Sequence, residues 1–185
     1  MADLVTIEEY KTYKKINSTS SDTQISSIIT MVSKLVRNYC GRNFIDYYAV
    51  DKVEYFDANA YYVVVDEFPL VSVTSVEVSD DGGQTYTALT EYTDYYVDIE
   101  NDTINAAELA FLTTAIPYRS LKVTYKAGYA ATPDDLKLAV MDFIDYYRDE
   151  QFTSTKQTMS ATIEYSPAKM PNHIKRVLDL YREVI

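Results

Sequence analysis

Apolar residues recur at helical spacing near both ends of the chain and at alternate positions through its middle. Ile25, Ile28, Ile29, Val32, Leu35, Val36 and Tyr39 step by three or four residues, which predicts an amphipathic helix over about 22–40. Gly41 stands where a left-handed residue would close that helix, and Arg37 suits its negative end. Upstream, Thr6-Ile7-Glu8-Glu9 has the form of a capping box and predicts a short helix ending near Lys15. Residues 17–21 are a polar loop. A third helix, over about 133–149, is predicted from Leu136, Ala139, Val140, Phe143 and Tyr147. Thr132 would be its N-cap and Pro133 its first helical residue, with Asp134 and Asp135 on the positive end of the dipole.

From about Tyr47 to Tyr125 the period changes to two. VDKVEYF, YYVVVDEF, VSVTSVEV and YYVDI read as strands, and Ser79-Asp80-Asp81-Gly82-Gly83 reads as a turn from VTSVEV to QTYTAL. The alternation changes phase between Val73 and Val76, which predicts a bulge near Thr74-Ser75. Residues 101–118 fit neither period, and a strand over 120–126 ends the run. Beyond Glu150, Met159, Ala161, Ile163 and Tyr165 alternate, as in an extended arm or an edge strand. A last helix carries Ile174, Val177, Leu178 and Tyr181 on one face. The expected fold is therefore α+β: a helical layer with an inserted antiparallel β module at about 47–126. Residues 1–150 form one expected domain, and 151–185 an extended arm with a C-terminal docking helix.

Composition narrows the function. No apolar run is long enough to span a bilayer, and MADLVTIEEYK lacks a secretory apolar segment, so the chain reads as soluble. Cys40 is the only cysteine and His173 the only histidine, which leaves no zinc spacing and no supported nucleophilic triad. No catalytic, cofactor or metal residues are assigned, and no enzyme is expected. The formal charge of −11 argues against a protein that grips phosphate. Asp135, Asp142, Asp145 and Asp149 fall within an arc of about 80° at 100° per residue. That stripe is either a solvated helix face or a channel lining that repels DNA; it offers too few oxygen ligands for a cation site. The 19 tyrosines include the pairs Tyr47-Tyr48, Tyr61-Tyr62, Tyr95-Tyr96 and Tyr146-Tyr147. On strands each pair would turn one ring inward and one outward, and the outward rings suit subunit interfaces. The C-terminal face of Ile174, Val177, Leu178 and Tyr181 has two candidate seats: its own domain's core or a groove on a partner, with the partner groove favoured.

The order of these pieces resembles the head-to-tail connector (adaptor) family of tailed bacteriophages. The likeness covers about residues 4–150. It is carried by Leu4 through Ile16, the helix end Tyr39-Cys40-Gly41-Arg42, Pro69-Leu70-Val71-Ser72-Val73-Thr74-Ser75-Val76, and VTYKAGYAATPDDLK from Val123. It implies a homo-oligomeric ring, twelvefold by family resemblance, docked under a portal protein in the virion neck after assembly in the host cytoplasm. Such a ring would extend the DNA channel, let DNA pass without specific binding, and present a platform to a tail or head-closure protein. No catalytic residues carry over. The alternatives are a tail-side completion or neck protein, and a monomeric ligand- or carbohydrate-binding module using a Tyr/Asp/Thr-rich β face. Gly128, one of 4 glycines, sits at the strand-to-helix corner. Asp134 and Asp135 would repel an anion there, so an architectural role is expected.

Overall fold

In the computed structural model the chain divides into two units, Met1–Arg42 with Thr132–Ile185, and Asn43–Ala131. The structure describes residues 1–57, 60–107, 111, 116–149, 155–158, 161–164 and 170–182. The division falls at 42/43 and 131/132 rather than at 150, and the C-terminal helix belongs with the first unit.

Among the described residues the first unit holds four helices, α1 (Ile7–Lys14), α2 (Asp22–Cys40), α3 (Asp134–Arg148) and α4 (Asn172–Leu180). The capping box forms: Glu9 N–H donates to Thr6 Oγ1 at 3.2 Å, and Thr6 N–H to Glu9 Oε2 at 2.8 Å. Two otherwise unpaired backbone donors are thereby satisfied at the start of α1. Gly41 ends α2 at φ +76°, its N–H bonded to the Arg37 carbonyl. The expected start of α3 shifts by one residue. Pro133 has an extended ψ of 147° and is the boundary residue, Asp134 is the first helical one, and Thr132 is buried without capping. Proline's fixed φ suits either position, so its ψ decides. Ile25, Ile29, Val32 and Val36 of α2 and Leu136, Val140 and Ile144 of α3 are buried, as their spacing requires.

The second unit contains β1 (Lys52–Phe56), β2 (Tyr62–Val64), β3 (Leu70–Val78), β4 (Thr87–Ala88), β5 (Tyr95–Asp98), β6 (Thr103–Ala106) and β7 (Leu121–Ala127). They build two antiparallel sheets, ordered β1-β7-β3-β4 and β2-β6-β5. In β7 strict alternation buries Leu121, Val123, Tyr125 and Ala127 while Lys122, Thr124 and Lys126 point away. Val63, Val65, Tyr95 and Ile104 join that core from the three-stranded sheet side. The predicted bulge is present: the β3–β7 register shifts between Val73 and Ser75, so Val73 opposes Tyr125 and Val76 opposes Val123. Residues three apart thus share one face. Back in the first unit, β8 (Thr155–Thr158) and β9 (Ala161–Glu164) pair as a two-stranded ribbon where an extended segment was expected.

The two chain ends of the second unit are joined. Glu67, 1% exposed, accepts from Asn43 N–H at 2.9 Å and from Phe44 N–H at 2.8 Å. Tyr129 N–H donates to the Phe44 carbonyl at 2.7 Å, and Gly128 N–H to the carbonyl of Pro69, which follows a cis peptide bond, at 2.8 Å. Gly128 has φ +96°, and a Cβ there would lie 2.1 Å from the Phe44 oxygen. Only glycine permits both the conformation and the approach, which makes the Gly128 corner architectural. Gly128→Ala is expected to cost the protein about 3 kcal/mol or more of stability, read as a lowered urea midpoint.

Candidate interaction surfaces

The aspartate stripe of α3 works largely inside the first unit. Asp145 is 15% exposed at its side chain and takes two donors, Tyr10 Oη at 2.5 Å and Lys14 Nζ at 2.7 Å. Arg148 adds a bond to the same Tyr10 hydroxyl at 3.0 Å. Burial and then Asp145 raise the Tyr10 pKa, and the Asp145 hydrogen bond raises that of Lys14. Asp142 accepts from Tyr13 at 3.3 Å and faces His173 Nε2 at 3.8 Å. Asp135 accepts from Tyr181 at 2.5 Å, and Asp149 lies 3.5 Å from Arg148 Nε. Of the four, Asp145 has the least exposed of the carboxylates, held against α1 by Tyr10 and Lys14. The donors sit as far as 135 residues away in sequence, which no local pattern on α3 could reveal.

The expectation that α4 offers a free docking face is corrected. Ile174 and Leu178 are 1% and 0% exposed, seated in the first unit's own core. Val177 and Tyr181 are half-buried. The Cys40 thiol donates to the Leu178 carbonyl at 3.6 Å, and burial pushes its pKa up to about 12. Tyr39 donates to Asp179 at 2.5 Å. A helix this short is marginal alone and takes the nearest apolar cover. Leu178→Ala should therefore destabilise the chain by about 2–4 kcal/mol, measured by chemical denaturation.

The tyrosine pairs divide. Tyr95 is buried and Tyr96 exposed, as strand alternation requires, and Tyr146 and Tyr147 divide likewise on a helix. Tyr61 and Tyr62 are both exposed, because Tyr61 precedes β2 instead of lying on it. Tyr47 and Tyr48 lie in a turn, not a strand; Tyr47 is half-buried under Lys52 Nζ, 5.7 Å from its ring centroid, and Tyr48 is exposed. Tyr95 is thus removed from the candidate interface residues. Tyr92, which has no tyrosine beside it in sequence, is 74% exposed and meets Tyr96 edge to face at 6.3 Å. It lies outside any strand, where alternation says nothing.

Charge is segregated between the units. The second holds 15 carboxylates against 4 basic residues, whereas the first holds 13 of each. The whole of the −11 therefore resides in the β unit. The asymmetry is readable from the sequence once the boundaries are known, since no Lys or Arg occurs between Lys52 and Arg119.

Among the described residues no cluster of His, Cys, Asp or Glu could hold a metal ion, and no helix is long and apolar enough to cross a membrane. A shallow open groove along α1 and α2 is lined by Ile7, Asp22, Thr23, Ser26, Ser27 and Thr30, a set with no acid–base pair.

The chain is thus a mixed α+β protein with a neutral helical unit, an acidic β unit and exposed tyrosines. The family model for head completion proteins matches residues 3–184, and the chain belongs to that family, whose members are structural components of phage particles and not enzymes. The head completion protein of Escherichia phage T5 is 21% identical over 184 residues, covering 98% of this chain and 99% of that one. Among solved structures, a chain in the neck of an empty gene transfer agent particle with C6 symmetry matches at TM-score 0.62 and 15% identity, over 98% of this chain and 91% of that chain. A chain in the neck of the native particle with C12 symmetry matches at TM-score 0.58 and 16% identity, over 100% and 96%. These matches agree with the connector resemblance and with a place in the virion neck, and they do not favour a monomeric sugar-binding module.

Acid should loosen the helical unit. Lys137 holds the Glu9 carboxyl below its ordinary value near 4.5, and Tyr39 then Lys175 hold Asp179 below its ordinary 3.8. A depressed carboxylate contributes fully above its unfolded pKa, and the contribution disappears as pH falls through the folded value. Thermal melts from pH 6 to pH 3 should therefore show a falling Tm, with a shallower fall in the Glu9→Gln/Asp179→Asn variant.

Proposed function

We propose that the chain is a structural ring component of the phage neck, docked beneath the portal, that prolongs the DNA channel and carries a tail or head-closure protein. The carrying observation is the match of nearly its whole length to the head completion family. Ring symmetry in the necks of its structural neighbours supports an oligomer of this kind, and a copy number of twelve accords with one of them.

Physical features of the chain fit that work. A net negative protein lets phosphate slide, since it offers no array of basic residues to neutralise it. Asp135 is exposed and Asp149 keeps 45% of its side chain exposed, so a channel-facing role rests on these two and not on Asp145. Contacts between copies draw on exposed apolar side chains. Met31 and Leu35 lie one turn apart on α2, 56% and 42% exposed, and Tyr48 and Tyr61 are available on the β unit.

Deleting this chain from its virus is expected to yield heads that package DNA, then lose it and lack tails, as counted in electron micrographs of lysates. Normal tailed particles from the deletion would overturn the reading.

A further inference from the structure

We propose that the outer face of the β2-β6-β5 sheet is a docking surface for a basic polypeptide segment, one presenting arginine or lysine to the rings of Tyr62, Tyr92 and Tyr96. The proposal rests on the residues of the second unit alone and stands whether or not the chain closes a ring.

The geometry of that face is set by register. Tyr62 opposes Asn105, and Asn105 opposes Tyr96, so the three form one row across the sheet. The next row is Val64, Thr103 and Asp98. Side chains directly opposite in antiparallel strands share a face. The other face is the core side, where Val63 and Ile104 are buried. Tyr62, Tyr96 and Val64 are each about half exposed, at 55%, 49% and 52%, and Tyr92 lies against Tyr96. An aromatic row open to water on a regular sheet is the composition of an interface centre.

Charge selects the occupant. The other sheet shows what tyrosines of this unit do when cations are at hand. There the Arg119 guanidinium carbon lies 4.0 Å from the Tyr55 centroid, and Lys122 Nζ lies 5.4 Å from that of Tyr86 while also bonding Glu77. The three-stranded sheet has the rings and, in the next row of the same face, the Asp98 carboxylate, but its stretch of chain has no Lys or Arg at all. Among the described residues no cation sits over the Tyr62, Tyr92 or Tyr96 ring, so the cationic half of the arrangement is assigned to a partner. Nucleic acid would meet repulsion, and the β unit of a second copy carries the same charge of −11. A basic segment gains both ring faces and carboxylates.

The test uses the full chain and a short fluorescein-labelled peptide alternating arginine with threonine, followed by fluorescence anisotropy and by NMR of the tyrosine rings. The arginine peptide should bind and shift the Tyr62, Tyr92 and Tyr96 resonances, and replacing arginine by neutral citrulline should abolish binding. Tyr62→Ser/Tyr96→Ser should weaken binding about tenfold, while Tyr48→Ser/Tyr118→Ser leaves it unchanged. Equal loss in both double variants, or ring shifts spread over all exposed tyrosines, would reduce the effect to general attraction by net charge and overturn the proposal. So would shifts at Tyr62 and Tyr96 that arise on concentrating the chain alone, which assign the face to a second copy, or saturable binding of a single-stranded oligonucleotide there.

Discussion

The close approach of Gly128 to the Phe44 carbonyl is the constraint on which the β unit depends. A strand-rich insertion must bring its first and last residues together, and loop closure costs entropy that local contacts must offset. Here the offset is concentrated in a few buried polar bonds: Tyr129 N–H to Phe44 oxygen, Gly128 N–H to Pro69 oxygen, and the Glu67 carboxylate holding the Asn43 and Phe44 amides. Such bonds are individually modest but costly to leave unmade once enclosed. With them in place β7 leaves the sheet at a defined point, and its alternation fixes which side chains of β1 and β3 share the core.

The helical unit is held together in a different way. Apolar spacing on α2 and α3 supplies the bulk of the burial. Orientation comes from carboxylates that collect hydroxyl and ammonium donors from neighbouring helices: Asp145 from α1, Asp142 from Tyr13, Asp179 from Tyr39. Charge-assisted bonds of this sort fix geometry more than they add net stability where they are exposed. They also explain how the unit carries 13 acidic residues with no net charge, since 13 basic residues accompany them.

Much of the fold is legible in the sequence itself. The long helix, its glycine stop, the capping box and the bulge at Val73–Ser75 follow from local period and side-chain chemistry, and each has a local cause. What could not be read is non-local. Strand spacing does not say that the described strands of the β unit divide between two sheets, because pairing partners lie far apart in the chain. The face of Ile174 and Leu178 announced a need for cover without naming it, and α2 and α3 supply it. The stripe on α3 reads as a surface in the sequence because most of its donors lie elsewhere in the chain, on α1 and just beyond α4. Family membership was legible through the order of weak motifs, none of which would have sufficed by itself.

The lopsided charge has a further consequence for assembly. Wherever the β units of two copies approach one another they repel, over a range that screening cuts to about 8 Å at physiological ionic strength. Such a pair would gather a standing atmosphere of mobile cations that each solitary copy holds only thinly. In a dilute salt solution that repulsion reaches further, so loss of mobile ions works against any contact between two such surfaces.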